Sequence, residues 1–372
     1  MSVKTSIIAR SLSIILLLAV FVLSGFVIIN KADEENWSII PLHLSEADQN
    51  PSMREIPEKP EPLTIIFGGD VMLSRTVNAK INSYGDYAWP FQKIASTTAA
   101  ADIAVVNLES PFLKDADYRV LTGSFSFRAD PKALEGISLA GIDMVSLANN
   151  HILNAGKKGL SDTTSLLDEA GIAWSGAGLN EMEARRPAII ERKGKRIAFL
   201  AYAYPNDNSV ATVSRLGTAN LDKAKMEEDV RAAKGLADIV IVQMHAGTEY
   251  VVEPGKEQKD FARAAISAGA DAVIGHHPHW PQSWEIFEGK PIFYSLGNFI
   301  FDQMWSTETS RGLLASLSFA ADGSGKARLL PILIDDYGQA KPWPSEKPLS
   351  EFWSLYGLSD PGEISWPGIS GN

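Results

Sequence analysis

From residue 63 onward the chain alternates short apolar runs with longer stretches whose apolar positions recur at helical spacing. Short runs rich in β-branched residues and closed by Gly, Asn or Asp read as buried strands. The longer periodic stretches read as amphipathic helices. Residues 63–67 predict a first strand, closed by Gly68-Gly69-Asp70. A helix follows over 90–101, then a strand over 103–106 ending in Asn107-Leu108-Glu109. A short helix over 131–140 leads to a strand at 144–147, after which come Asn149-Asn150-His151. Residues 158–170 predict a helix stopped by Gly171. Residues 189–202 predict a hairpin turning at Lys193-Gly194-Lys195. A helix over 221–235, a strand over 239–243 leading to Met244-His245, and a helix over 256–268 come next. The strand at 272–274 then opens into Gly275-His276-His277-Pro278-His279.

Near its end the pattern changes. Residues 283–287 and 291–295 flank Glu288-Gly289-Lys290, and 313–319 and 327–333 flank Asp322-Gly323-Ser324-Gly325, which predicts two antiparallel hairpins. Strand and helix units that alternate in this way predict a layered α/β domain. No internal repeat is present. From Trp343 on, the chain is rich in Pro, Ser and Trp and predicts no element.

Ahead of residue 63 the pattern is different again. Residues 11–29 are apolar and uncharged, and about 20 such residues suffice to cross a bilayer core as a helix. Lys4 and Arg10 precede the run, and Asp33, Glu34 and Glu35 follow it. That asymmetry places the amino terminus in the cytoplasm and the rest outside. With no Ala-x-Ala-like cleavage site, an uncleaved single-pass signal anchor in the cell membrane is expected rather than a signal peptide. Residues 31–62 carry Pro41, Pro51, Pro57, Pro60 and Pro62 in polar sequence and read as an extracytoplasmic tether. The expected organisation is therefore a cytoplasmic terminus and anchor over 1–30, a tether over 31–62, a globular domain over 63–335, and a Pro/Trp-containing tail over 336–372.

Composition narrows the chemistry. With 45% hydrophobic and 21% charged residues, the 372-residue chain is an ordinary globular protein. A net charge of −11 argues against nucleic acid as a partner. There is no cysteine, so disulfides and thiolate metal sites are excluded, and any metal must use His, Asp, Glu or Asn. Three of the six histidines stand within Gly275–His279.

Five apolar runs end in residues that ligate metals or transfer protons: Asp70; Asn107 and Glu109; Asn150 and His151; His245; and His276, His277 and His279. Each has a plain structural reading, Asp70 as a helix N-cap, Asn149 and Asn150 as turn formers, His245 as a packed strand end. Together they point elsewhere. In open α/β sheets, ligands bind where the carboxyl ends of the strands converge, so these residues are expected in one crevice.

The motifs Gly69-Asp70-Val71-Met72-Leu73, Asn107-Leu108-Glu109-Ser110-Pro111, Ala148-Asn149-Asn150-His151, His245-Ala246-Gly247-Thr248-Glu249-Tyr250, Gly275-His276-His277-Pro278-His279 and Ser295-Leu296-Gly297-Asn298-Phe299 resemble, in order, those of the CapA family. That family is linked to synthesis or export of capsular poly-γ-glutamate and is related to calcineurin-like metallophosphatases. The resemblance implies a four-layer α/β/β/α sandwich with a metal site at the strand ends. It implies Asp70, Glu109, Asn150, His245, His277 and His279 as ligands of one or two divalent ions (Mn, Zn, Fe or Mg). His151 would then be the general acid, Glu249 a further acid–base candidate, and Asn107, His276 and Asn298 supporting residues. Two positions depart from the metallophosphatase pattern. Met72 stands where a ligand histidine would be, and Asn107-Leu108-Glu109 replaces the Gly-Asp whose carboxylate bridges two metals, a role open to Glu109.

Two kinds of function follow. One is metal-dependent hydrolysis of a phosphoryl, ester or amide bond in the cell envelope. The other is a non-catalytic polymer-binding or synthase-assembly subunit. The partners implied are an anionic polymer such as poly-γ-glutamate, membrane synthase subunits, and the bilayer itself through residues 11–29. Arg75, Lys93, Arg119 and Arg128 are candidates for an anion path, and Trp280, Trp284, Tyr250 and Trp305 for either a substrate wall or packing.

Overall fold

The computed structural model describes residues 61–114, 124–205 and 209–368. The expected anchor and tether lie outside the described residues. Among the described residues no helix is long and apolar enough to cross a membrane.

In chain order the strands are β1 Leu63–Val71, β2 Ile103–Leu108, β3 Ile142–Ser146, β4 Ala173–Ser175, β5 Ala177–Gly178, β6 Ala188–Arg192, β7 Lys195–Ala203, β8 Gly217–Thr218 and β9 Ile239–His245. They continue with β10 Ala272–His276, β11 Trp284–Phe287, β12 Lys290–Phe293, β13 Asn298–Ile300, β14 Arg311–Phe319, β15 Gly325–Asp335, β16 Gln339–Pro342 and β17 Glu363–Trp366. One sheet runs β16-β15-β14-β1-β2-β3-β4, with β13 also on β1 and β17 on β15. The other runs β11-β12-β10-β9-β7-β6. β1 to β4 are mutually parallel, as are β7, β9, β10 and β12, so each sheet presents a row of strand carboxyl ends.

Side chains alternate across a strand, and that alternation sets the layers. Leu63, Ile65 and Phe67 of β1 face Ile197, Phe199, Ile241 and Ile274 of the second sheet in a shared core. Ile66, Val106 and Val145 turn the other way, onto helices Arg75–Tyr84, Leu134–Leu139 and Gly156–Ala170 through Val77, Ile81, Ile137, Leu160 and Leu167. On the far side, Ala198, Leu200, Val240 and Val242 carry helices Lys223–Lys234 and Lys256–Ala268 through Met226, Val230, Phe261 and Ala265. The result is a mixed α/β fold ordered helix, sheet, sheet, helix.

Local differences from the sequence reading have identifiable causes. The helix expected over 90–101 is a run of tight turns with only Ala95–Thr98 helical. Pro90 brings no N–H, and the Phe91 and Ile94 amides bond three residues back, to Ala88 and Phe91 carbonyls, at 3.0 Å each. Helix Arg75–Tyr84 was not expected, because its inward face mixes Val77 and Ile81 with the buried polar residues Arg75 and Asn78. The segment set apart as a tail continues the fold. β16 and β17 both pair with β15, and Phe352, Trp353, Tyr356, Ile364 and Trp366 join the core between the sheets.

Two glycines permit the close approaches on which the strand ends depend. A Cβ on Gly69 would stand 1.9 Å from the Gly297 carbonyl oxygen, and one on Gly275 would stand 1.9 Å from that of Tyr294. Without side chains there, the Asp70 amide reaches Gly297 O at 3.0 Å, and the Leu296 amide reaches Gly275 O at 3.2 Å.

Candidate metal centre

β1, β2 and β13 run side by side, so Asp70 is in register with both Asn107 and Asn298. The ladder slips on each side of Asp70, which re-aims that side chain at the strand ends. In the other sheet His276 is in register with His245. Asp70, Asn107, Glu109, His245, His276, His277, His279 and Asn298 are all buried, and His151 and Asn150 are partly so. Residues from both sheets therefore meet at one place, as the strand-end pattern predicts.

Asp70 is held as an ionised acceptor. Its Oδ1 accepts from Asn107 Nδ2 at 2.8 Å, its Oδ2 from the His277 amide at 3.2 Å, and His279 Nδ1 stands 3.3 Å from Oδ2. Burial alone would raise its pKa, but the close approach of His279, His245 and His276 outweighs it and holds the carboxyl below the usual range.

Glu109 is the opposite case. It has no exposed surface, and neither carboxylate oxygen has a hydrogen-bond partner among the described residues. Burial first, then the charges of Asp70 and Glu249, push its pKa well above that of an ordinary glutamate. His151 Nε2 and His245 Nε2 each stand 3.8 Å from its Oε1. A buried carboxylate without partners is costly, and a cation removes that cost.

The hydrogen-bond network fixes the imidazoles. Asn298 donates to Gln303 Oε1 at 3.0 Å and to Thr309 O at 2.8 Å, so its Oδ1 accepts from His279 Nδ1 at 2.9 Å and leaves His279 Nε2 for the site. Asn154 Oδ1 accepts from the Phe127 amide at 2.7 Å and from His151 Nδ1 at 2.9 Å, which leaves His151 Nε2 facing Glu109. Asn149 Nδ2 donates to Asn107 Oδ1 at 3.2 Å, which turns Asn107 Nδ2 toward Asp70 and His245 Nδ1. His245 Nε2 then donates to Asn150 Oδ1 at 2.9 Å, so two of the expected ligands are bonded to each other. Among the described residues neither ring nitrogen of His276, nor Nδ1 of His277, has a hydrogen-bond partner. Burial is the main force lowering the pKa values of His151 and His276 to about 4, that of His277 to about 3, and that of His245 well below normal.

Among the described residues two sets of ligand atoms lie close enough to hold an ion: Glu109, His245 and His277, and Asp70, Glu109 and His279, each within 4.8 Å. The two sets share Glu109. The donors are buried, several lack partners, and oxygen and imidazole together suit a hard or borderline divalent ion, so the residues present fit a metal. His277 and His279, on either side of Pro278, adopt left-handed φ values of 97° and 59°. Such strain costs about 1–3 kcal/mol per residue and is characteristic of functional sites.

Not every expected residue enters this cluster. Glu249 is exposed on the loop after β9, where its charge acts on Glu109 and Tyr250. Met72 packs in the helix-side core, and its sulfur accepts from the Ser74 amide at 3.1 Å. Residues not expected at the site are Asn154 and Phe127, whose ring stacks on His151 at 4.0 Å. Asn154 was findable, standing three residues past His151 in a turn. Phe127 carries no such signal. Tyr204, 4.8 Å from the His277 ring, was likewise unmarked.

Fold and site together define a layered mixed α/β protein with a cluster of potential metal ligands at its strand ends. The family described as "Bacterial capsule synthesis protein PGA_cap" matches residues 64–303, and the chain belongs to this family. The capsule biosynthesis protein CapA of Bacillus anthracis is 32% identical over 290 residues, 76% of this chain and 70% of that protein. The PGA biosynthesis protein CapA of Bacillus subtilis is 30% identical over 287 residues, 77% of this chain and 74% of that protein. Among solved structures, a Staphylococcus aureus protein described as a candidate 5′-nucleotidase aligns with a TM-score of 0.44 at 15% identity, over 79% of this chain and 57% of that one.

Proposed function

We propose that this chain is a CapA-type accessory of poly-γ-glutamate capsule synthesis or export, and that its strand-end cluster holds one or two divalent ions. The observation that carries the metal reading is Glu109, fully buried, unpartnered at both oxygens, and common to both ligand sets. Asp70, His279, His245 and His277 complete the two sets; Asn298 orients His279, and His245 has to give up its bonds to Asn107 or Asn150 to ligate. Asn150 either joins the ligands or keeps His245 fixed. The capsule role is supported by family membership and by the CapA relatives. Residues 11–29 support single-pass anchoring in the cell membrane, with the globular part outside the cytoplasm and within reach of synthase subunits and the polymer.

A second reading, hydrolysis at this centre, is favoured by His151. A bound divalent ion supplies positive charge that polarises a scissile bond and acidifies a coordinated water. His151 Nδ1 is committed to Asn154, so any proton is taken up or handed on at Nε2, which faces the cluster. Phe127 stacked on the ring keeps water from one of its faces. The test is turnover by the full-length, metal-loaded chain on phosphoesters and on γ-linked glutamyl peptides. Turnover that disappears in His151→Ala while metal content is retained supports hydrolysis. Metal binding with no turnover on either substrate class leaves the assembly role as the function.

A further inference from the structure

Arg75, one of the basic residues that the sequence offers for an anion path, is buried, at 5% exposure, and has no part in the metal-ligand sets. Its guanidinium lies over two phenyl rings, 4.8 Å from the centroid of Phe127 and 5.6 Å from that of Phe301. Each ring also touches a histidine of the centre. Phe127 stacks on His151 at 4.0 Å, and Phe301 meets His279 edge-on at 4.9 Å. The arginine is thus indexed to the centre by the same two rings that pack against His151 and His279. Its charge is felt by Glu109, His151 and Tyr250.

Two groups hold the guanidinium: Asp302 through Nη2, and the Ser124 carbonyl through Nη1 at 3.2 Å. Nε–H is buried and has no partner among the described residues. A packed structure rarely leaves such a donor unmade, because the lost hydration costs about 1–3 kcal/mol. The backbone at Arg75 is also left-handed, with φ of 48°. Strain of that kind in a residue with a side chain marks a position held for a purpose. The amide of Arg128 is bound by the hydroxyl of Ser74, the residue before Arg75, at 3.0 Å, and Arg128 Nε–H is likewise buried without a partner among the described residues.

We propose that Arg75 is an oxyanion seat at the edge of the metal centre. It would hold a carboxylate or phosphate oxygen of the substrate against a planar N–H donor set. Arginine suits this role because its donors are fixed in a plane and always charged. The proposal rests on the reading of the cluster as a substrate-processing or substrate-holding site, and it names the chemistry recognised there.

The test is titration calorimetry on the full-length chain in detergent, with inorganic phosphate and a γ-linked glutamyl trimer as separate probes. It is run with and without divalent metal, on wild type, on Arg75→Lys, and on Arg75→Gln combined with Asp302→Asn. The double variant leaves no unpaired buried charge, and the lysine variant keeps the charge but loses the planar donors. The expected result is binding by wild type, weakened about tenfold or more in both variants at unchanged metal content and melting temperature. Loss confined to the trimer identifies a carboxylate, and loss with both probes identifies any oxyanion. Equal binding by wild type and a folded variant overturns the proposal, and so does the absence of binding by wild type. A chain that takes up no metal yet binds a probe through Arg75 refutes the metal reading and leaves the seat intact.

Discussion

At the scale of single residues, the centre is a set of groups held in protonation states that water would not choose. Neutral imidazoles at His151, His276 and His277 have folded pKa values of about 4, 4 and 3 against an ordinary 6.5. Between those values the unfolded chain binds protons that the folded chain refuses, so stability present above pH 6.5 is lost as the pH falls toward 4. Asp70, with its lowered pKa, acts in the same direction at lower pH. Glu109 acts oppositely. Its raised folded pKa gives stability that is present below about pH 4.5 and lost as the pH rises through the folded value. With these three imidazoles and His245, also lowered, against one carboxyl, the metal-free chain should melt on the order of 5–10 °C lower at pH 5 than at pH 7. A melting temperature that does not change over that interval in chelator would contradict the burial of neutral imidazoles. Glu109→Gln should raise the metal-free melting temperature at pH 8, because it removes a buried charge, and should abolish metal uptake, because both ligand sets lose their shared member. Calorimetry and metal analysis of one preparation read both effects.

Much of this residue inventory was legible in the sequence. Asp70, Glu109, His245, His277 and His279 each end an apolar run, and parallel strands bring such ends together whatever the details of packing. The orienting partners were less so. Asn154 and Phe127 act through loops whose paths are set by tertiary contacts, and Arg75 belongs to a helix that the apolar pattern did not reveal.

At the scale of elements, the site depends on how closely β13 and its preceding turn approach β1. The Asp70 amide bonds to Gly297, and Asn298 both pairs with Asp70 and fixes His279. Gly69→Ala would put a methyl group 1.9 Å from the Gly297 carbonyl, so the two segments must separate. The expected cost is about 3 kcal/mol, with metal affinity reduced as His279 loses its support. Denaturant unfolding and metal titration on the variant check this. A variant as stable as wild type would show that the approach is not tight. The helix Lys256–Ala268 was readable to the residue, since its apolar face is regular and Gly269 in the left-handed region closes it. The 90–101 segment was not, because its apolar spacing imitates a helix while Pro90 and successive three-residue turns define the backbone.

At the scale of the molecule, two sheets share one core, and the carboxy-terminal segment closes part of it. Phe352 is fully buried among Trp343, Trp353 and Tyr356. Phe352→Ala should therefore cost about 3–5 kcal/mol. Removal of residues 343–372 should yield a chain that aggregates or binds hydrophobic dyes. A truncated chain that melts like wild type would show that this segment is dispensable. The segment was opaque in sequence because its strands are short and its aromatic residues follow no period; they are defined only by the core they complete.

The buried acids and imidazoles of both sheets are proposed to form one divalent-metal centre around Glu109. The most direct test is metal content per chain, by elemental analysis after exposure to Mn, Zn, Fe and Mg in turn and removal of free ion. One or two tightly held ions per folded wild-type chain, and none in a folded Glu109→Gln chain, are expected. A folded wild-type chain that retains no divalent ion, or a Glu109→Gln chain that retains the full complement, would contradict it.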